Sequence, residues 1–113
     1  MIHVCLSNEP FTLLQALAAI GEHLIRLQTL ELASCPQLTD DGVKWLGRGC
    51  PLLESLDLSF CPKITSVGVR YLCGDGGVPG CQDLRLVRIV DTGVDESGKI
   101  RLKKKFKYVV VVE

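Results

Sequence analysis

Residues 27–52, LQTLELASCPQLTDDGVKWLGRGCPL, run without interruption into a second copy, LESLDLSFCPKITSVGVRYLCG. Leu30, Leu32, Cys35, Pro36, Leu38, Thr39, Gly42, Val43 and Leu46 recur as Leu56, Leu58, Cys61, Pro62, Ile64, Thr65, Gly68, Val69 and Leu72, every pair at one and the same offset. A fixed period of this length marks a stacked-repeat solenoid. Each copy is one supersecondary unit, and it buries its apolar face only against its neighbours.

Within each copy the Leu-x-Leu segment predicts a short strand, with both leucines inward and the residue between them outward. The Cys-Pro step ends the strand, because proline has no N–H for a continuing ladder. Thr39 and Thr65 then stand where helix N-caps belong. Val43, Leu46 and Cys50 follow on one helical face, and Gly42 and Gly68 mark close approach of helix to strand. Upstream, Met1, Val4, Leu6 and Pro10 sit one full period before Leu27, Leu30, Leu32 and Pro36, and residues 11–25 carry helical apolar spacing. Downstream, the loop 74–80 stretches the step from Leu53 to Leu84. Leu84, Val87 and Ile89 restore the strand spacing, with Thr92 in the cysteine position. Four parallel strands are expected. The array divides into 1–26 (weak), 27–52, 53–83 and a partial 84–92. Residues 93–113 form a degenerate repeat or cap with a basic tail, where Ile100, Leu102, Phe106, Tyr108, Val110 and Val112 read as an alternating edge strand.

The motifs LxxLxLxxCPxLTDDGVxxL and LxxLxLxxCPxITSVGVxxL resemble the cysteine-containing class of leucine-rich repeats. That class is typical of F-box/leucine-rich-repeat proteins, the substrate receptors of cullin-based ubiquitin ligases, and of antagonist of mitotic exit network homologues. The resemblance implies an α/β solenoid, a short right-handed arc with parallel strands on its concave face and helices on its convex face. It also implies an unidentified protein partner, non-enzymatic recognition of ligase substrates, and a cytoplasmic or nuclear location. Skp1/cullin recruitment would require an F-box upstream of residue 1. The abrupt, uncapped start reads as a fragment, and self-association through open repeat ends is the competing expectation.

Composition agrees with an ordinary globular chain: 47% hydrophobic, 23% charged, with zero formal net charge over 113 residues. That zero conceals an asymmetry. Residues 1–91 hold seven Lys/Arg against ten Asp/Glu, and residues 92–113 hold six against three. Six cysteines could indicate a disulfide framework, but Cys35, Cys50, Cys61 and Cys81 fall at repeat positions, which makes them small buried hydrophobes carrying reduced thiols. Residues 1–6 read as part of the repeat pattern, so no secretory signal is expected, and no apolar run in the sequence reaches membrane length.

The outward strand positions form the candidate binding face. One ladder runs Cys5, Glu31, Asp57, Arg88; a second His3, Thr29, Ser55, Leu86; a third Ser7, Ala33, Ser59, Val90. Neighbouring strands lie about 4.8 Å apart, so Glu31, Asp57 and Arg88 should adjoin. Thr29, Ser55 and Ser59 supply hydrogen-bonding groups, and Phe60 stands at the rim as an aromatic anchor. Paired carboxylates on an open sheet have no cleft to exclude water, so no catalytic residues are assigned. Trp45 and Tyr71, equivalent positions of the two copies, read as packing between helices. Residues 93–99 fit GxxxxGK, but Ile100 replaces the hydroxyl residue that holds magnesium in phosphate-binding loops, so no cofactor is expected. His3, Cys5 and His23 lack metal-ligand spacing, so no metal is expected. Lys103–Lys107 reads as a solvated basic tail, with no nucleic-acid or membrane partner.

Overall fold

The computed structural model describes residues 2–3 and 10–113. Strands and helices alternate: β1 (Ile2–His3), α1 (Pro10–His23), β2 (Thr29–Glu31), α2 (Asp40–Gly49), β3 (Ser55–Asp57), α3 (Ser66–Leu72), β4 (Leu86–Arg88), α4 (Glu96–Lys105) and β5 (Val110–Val112). The strands form one sheet in chain order, parallel throughout. Each helix packs against the next along the other layer. This is the α/β solenoid expected from the repeat, with five strands rather than four.

The repeat leucines explain the core. Leu30, Leu56 and Val87 are register partners at the strand centres, and all three are fully buried. The helix residues Val43, Leu46, Val69, Leu72 and Leu102 close over them. All five cysteines among residues 10–113 are free and buried. Three of the thiols point at backbone carbonyls of the preceding unit, Cys61 at Leu32 (3.1 Å), Cys50 at Leu24 (3.7 Å) and Cys81 at Leu46 (3.7 Å). Burial pushes the Cys81 thiol up to about 12, with the nearby Cys50 and Cys73 adding to the shift. Buried in this way, the cysteines serve as small packing groups with a weak donor.

The strands β2, β3 and β4 each leave the sheet through a left-handed residue at one repeat position: Ser34 (φ 61°), Phe60 (φ 61°) and Asp91 (φ 53°). The turn diverts the chain toward the helix layer without ending the ladder. Ser34 N–H still donates to Ser59 O (2.8 Å), and Phe60 N–H to Val90 O (2.7 Å). Thr65 caps α3 through its side chain, accepting from Val67 N–H (3.2 Å). Thr39 occupies the cap position of α2 in an extended conformation, with no side-chain cap bond.

Two expectations are corrected. Residues 100–105 belong to helix α4, not to an alternating strand. Asp95 caps this helix, its carboxylate accepting from Gly98 N–H (3.1 Å). Hydrogen bonds from the Ser66 and Ser97 hydroxyls and from that N–H hold the Asp95 carboxyl down at about 2. Gly98 fills the place of Gly42 and Gly68, and Leu102 that of Leu46 and Leu72. The tail is therefore a further strand–helix unit, and only 110–112 form the edge strand. The second correction concerns β1, where Ile2 pairs with Leu30 and His3 with Glu31. The expected partner of His3 was Thr29, two positions earlier. A slip of two preserves the face of every side chain, so alternation alone does not detect it. The expected places of Cys5 and Ser7 in the ladders lie outside the described residues.

Candidate interaction face

The residues flanking the buried strand centres build the exposed face of the sheet. Thr29, Ser55, Leu86 and Val110 are register partners along one ladder, and Glu31, Asp57, Arg88 and Val112 along the other. Thr29, Glu31, Ser55 and Asp57 are half-buried, while Arg88 is exposed. Asp57 and Arg88 are neighbours in register but form no ion pair. The Asp57 carboxylate instead turns into its own turn and accepts from Ser59 N–H (2.9 Å). That fixes its rotamer and leaves the Arg88 guanidinium without an ion-pair partner among the described residues.

Ser59 departs from the expected surface role. It is 5% exposed, and its hydroxyl accepts from Val90 N–H (3.3 Å), so it serves the sheet rather than a partner. Phe60 stands at the rim with half of its surface exposed. A bulky residue in the left-handed region is uncommon and strained. Ser34 and Asp91 share this conformation, so it belongs to the repeat turn, which leaves the Phe60 ring at the rim of the face.

Val110 and Val112, which the sequence places in an edge strand without assigning them to a ladder, join this face as part of β5. They extend both ladders past Leu86 and Arg88, and Val110 is 58% exposed. The signal that places them is Asp95 in the cap position ahead of Gly98, a faint likeness to LTDDG one residue short, which marks α4 and so the strand after it. With β5 included, the face has two halves. The β2–β3 half carries two carboxylates and two hydroxyls. The β4–β5 half is apolar, built of Leu86, Val110 and Val112 around one arginine.

Trp45 and Tyr71 lie on the helix side, both half-buried. Lys44 of α2 stands over the Tyr71 ring of α3 at 5.5 Å, and Arg48 over Trp45 at 5.3 Å. Gly93 and Gly98 of the GxxxxGK stretch are accounted for by packing. A Cβ on Gly93 would meet Ile64 O at 2.7 Å, and one on Gly98 would collide with the Ser66 hydroxyl. Among the described residues no group of three or more His, Cys, Asp and Glu is placed to hold a metal ion, and no helix is long and apolar enough to cross a membrane.

Comparison with known proteins adds to this geometry. Residues 23–47 and 49–73 match the leucine-rich repeat family. A chain from the structure of the Chaetomium Mex67:Mtr2 subunits is similar over 93% of this chain and 72% of its own, with a TM-score of 0.61 and 17% sequence identity. At that identity the likeness concerns the fold alone. No curated protein matches the chain.

Proposed function

This chain carries leucine-rich repeats, and from that premise we propose that it is a protein–protein interaction module whose strand face recognises the substrate of an F-box/leucine-rich-repeat type ubiquitin-ligase receptor. The supporting observation is the division of that face into an acidic, hydroxyl-bearing half and an apolar half on one rigid parallel sheet. Such a surface suits an extended segment presenting basic or hydrogen-bonding groups to Glu31, Asp57, Thr29 and Ser55 and apolar side chains to Leu86, Val110 and Val112. Phe60 is the rim anchor, and Arg88 sets the polarity of the bound segment. In this reading the module works in the cytoplasm or nucleus, and recruitment of Skp1/cullin requires an F-box upstream of residue 1. The repeats themselves take no part in bond making.

Affinity capture from lysate with quantitative mass spectrometry tests this reading. Glu31→Lys combined with Asp57→Lys is expected to reduce capture of a specific partner about tenfold or more, a loss of about 1.4 kcal/mol or more in binding. Phe60→Gly is expected to weaken capture while leaving unfolding stability no lower, because glycine tolerates φ 61°. With an F-box fused ahead of residue 1, the captured partner should be ubiquitinated by a reconstituted Skp1/cullin ligase. A partner retained equally by all variants, or never modified by the fused receptor, would sink the proposal.

The β5 edge favours a second reading, self-association through an open end of the array. Val110–Val112 is β-branched, and no strand lies on its far side among the described residues. Such an edge is a template for pairing. Light scattering should then give a wild-type mass that rises with concentration, and Val110→Lys should return it to that of a monomer. A wild-type chain that stays monomeric throughout rejects this reading.

A further inference from the structure

The helix layer follows one rule at its first two seams and breaks it at the third. At the α1/α2 seam a Cβ on Gly21 would lie 2.5 Å from the Trp45 carbonyl oxygen. Gly47, one repeat period on, meets the Tyr71 carbonyl oxygen at the α2/α3 seam in the same way. Both seams are therefore closed backbone to backbone, each glycine lying against the carbonyl group of an aromatic residue. A further period on, at the α3/α4 seam, the residue is Cys73. The α4 position equivalent to Trp45 and Tyr71, counted from the helix caps at Thr39, Thr65 and Asp95, is Arg101. A larger residue thus replaces the glycine, and a charged one the packing aromatic. Hydrogen bonds between Ser66 and Asp95 still close the start of this seam, but beyond them it stands open.

The resulting groove has a volume of about 460 Å³ beside Cys73, Asp75, Ile100, Lys104 and Lys105. It adjoins a second space of about 330 Å³ beside Val67 and Arg70, and Ser97 and Arg101 line both. Its charge is strongly positive. Arg101 pairs with Asp75, while Lys99 and Lys103 of the same helix pair with Glu113. Arg70, Lys104 and Lys105 have no ion-pair partner among the described residues. Val67 and Ile100, each about half exposed (47% and 50%), add apolar surface to the walls. The floor is neutral, because burial pushes the Cys73 thiol up to about 11.

We propose that the α3/α4 groove is a second interaction site, on the helix side, that takes an acidic peptide segment carrying apolar side chains. Carboxylates would sit on Arg70, Lys104 and Lys105, and the apolar side chains between Val67 and Ile100. A nucleic acid fits less well. No aromatic residue lines the groove to stack a base, and residues 1–91 carry an excess of acidic groups that opposes an extended polyanion. The site is independent of the strand face.

Fluorescence anisotropy on the full chain tests it, using a short fluorescein-labelled peptide of glutamate and leucine. The peptide is expected to bind, to weaken as salt rises, and to lose about tenfold or more in affinity with Lys104→Glu plus Lys105→Glu. Ile100→Asp, at an exposed position, should weaken it as well, while Glu31→Lys with Asp57→Lys should not. Three results would overturn the proposal. The first is a glutamine–leucine peptide that binds equally well, and the second is affinity indifferent to the lysine reversals. The third is a single-stranded oligonucleotide that outcompetes the peptide through the same lysines, which would assign the groove to nucleic acid instead.

Discussion

Leu56→Ala is expected to destabilise the chain by about 4 kcal/mol, read as a shift in the urea midpoint at unchanged slope. Leu56 is fully buried at the centre of β3, the middle of five strands, with Leu30 and Val87 as its register partners. In a stacked array stability is a sum over units and over the interfaces between neighbours, so a middle unit contributes to two interfaces and an end unit to one. The cavity left by Leu56 therefore weakens contacts toward β2 and toward β4 together. The whole domain is worth only about 5–15 kcal/mol, so this single truncation should remove much of it. The matched comparison is Val111→Ala. Val111 holds the same position in the last strand but is only partly buried, and its loss should cost about 1 kcal/mol. Equal effects from the two variants would mean that the array unfolds without regard to position, contrary to the nearest-neighbour picture.

The sequence makes the middle of this molecule legible and its ends obscure, for a physical reason. Between Leu27 and Leu72 each buried position must be filled by nearly the same volume, because each unit packs on a copy of itself. The constant spacing is the trace of that constraint. From Thr92 onward the turn is one position shorter, so Val94, Asp95, Gly98 and Leu102 keep their roles while losing their spacing. A reading by period alone then mistakes α4 for part of a strand. The binding face inherits the same limit. Glu31, Asp57 and Arg88 are legible as neighbours, because outward residues follow from the inward ones. Val110 and Val112 are legible as edge-strand residues, but their places in the ladders are lost along with the helix before them. The hydrogen bonds that turn Asp57 away from Arg88 and bury Ser59 depend on turn geometry, which alternation does not encode. The α3/α4 groove is illegible for another reason: it arises from two replacements, Cys73 for glycine and Arg101 for an aromatic, and these stand out only once α4 is aligned with its predecessors.

Those replacements give the second large effect its meaning. Gly49→Ala should destabilise the chain by about 3 kcal/mol or more. Gly49 closes α2, and a Cβ there would fall within the carbonyl group of Gly21 in α1. Both partners are backbone, so no side-chain rotamer can relieve the overlap. The two helices would have to separate as bodies, which would loosen Leu17 and Ile20 from Val43 and Leu46 behind them. The control is Gly77→Ala. Gly77 has open space where its Cβ would go, and its penalty comes only from φ +82°, worth about 1–2 kcal/mol. Chemical denaturation of the two variants thus separates close packing from backbone conformation. If Gly49→Ala cost no more than Gly77→Ala, the first seam would be looser than its glycines imply. The contrast with Cys73 would then lose its force, because an open α3/α4 seam is distinctive only if α1 and α2 are held in contact.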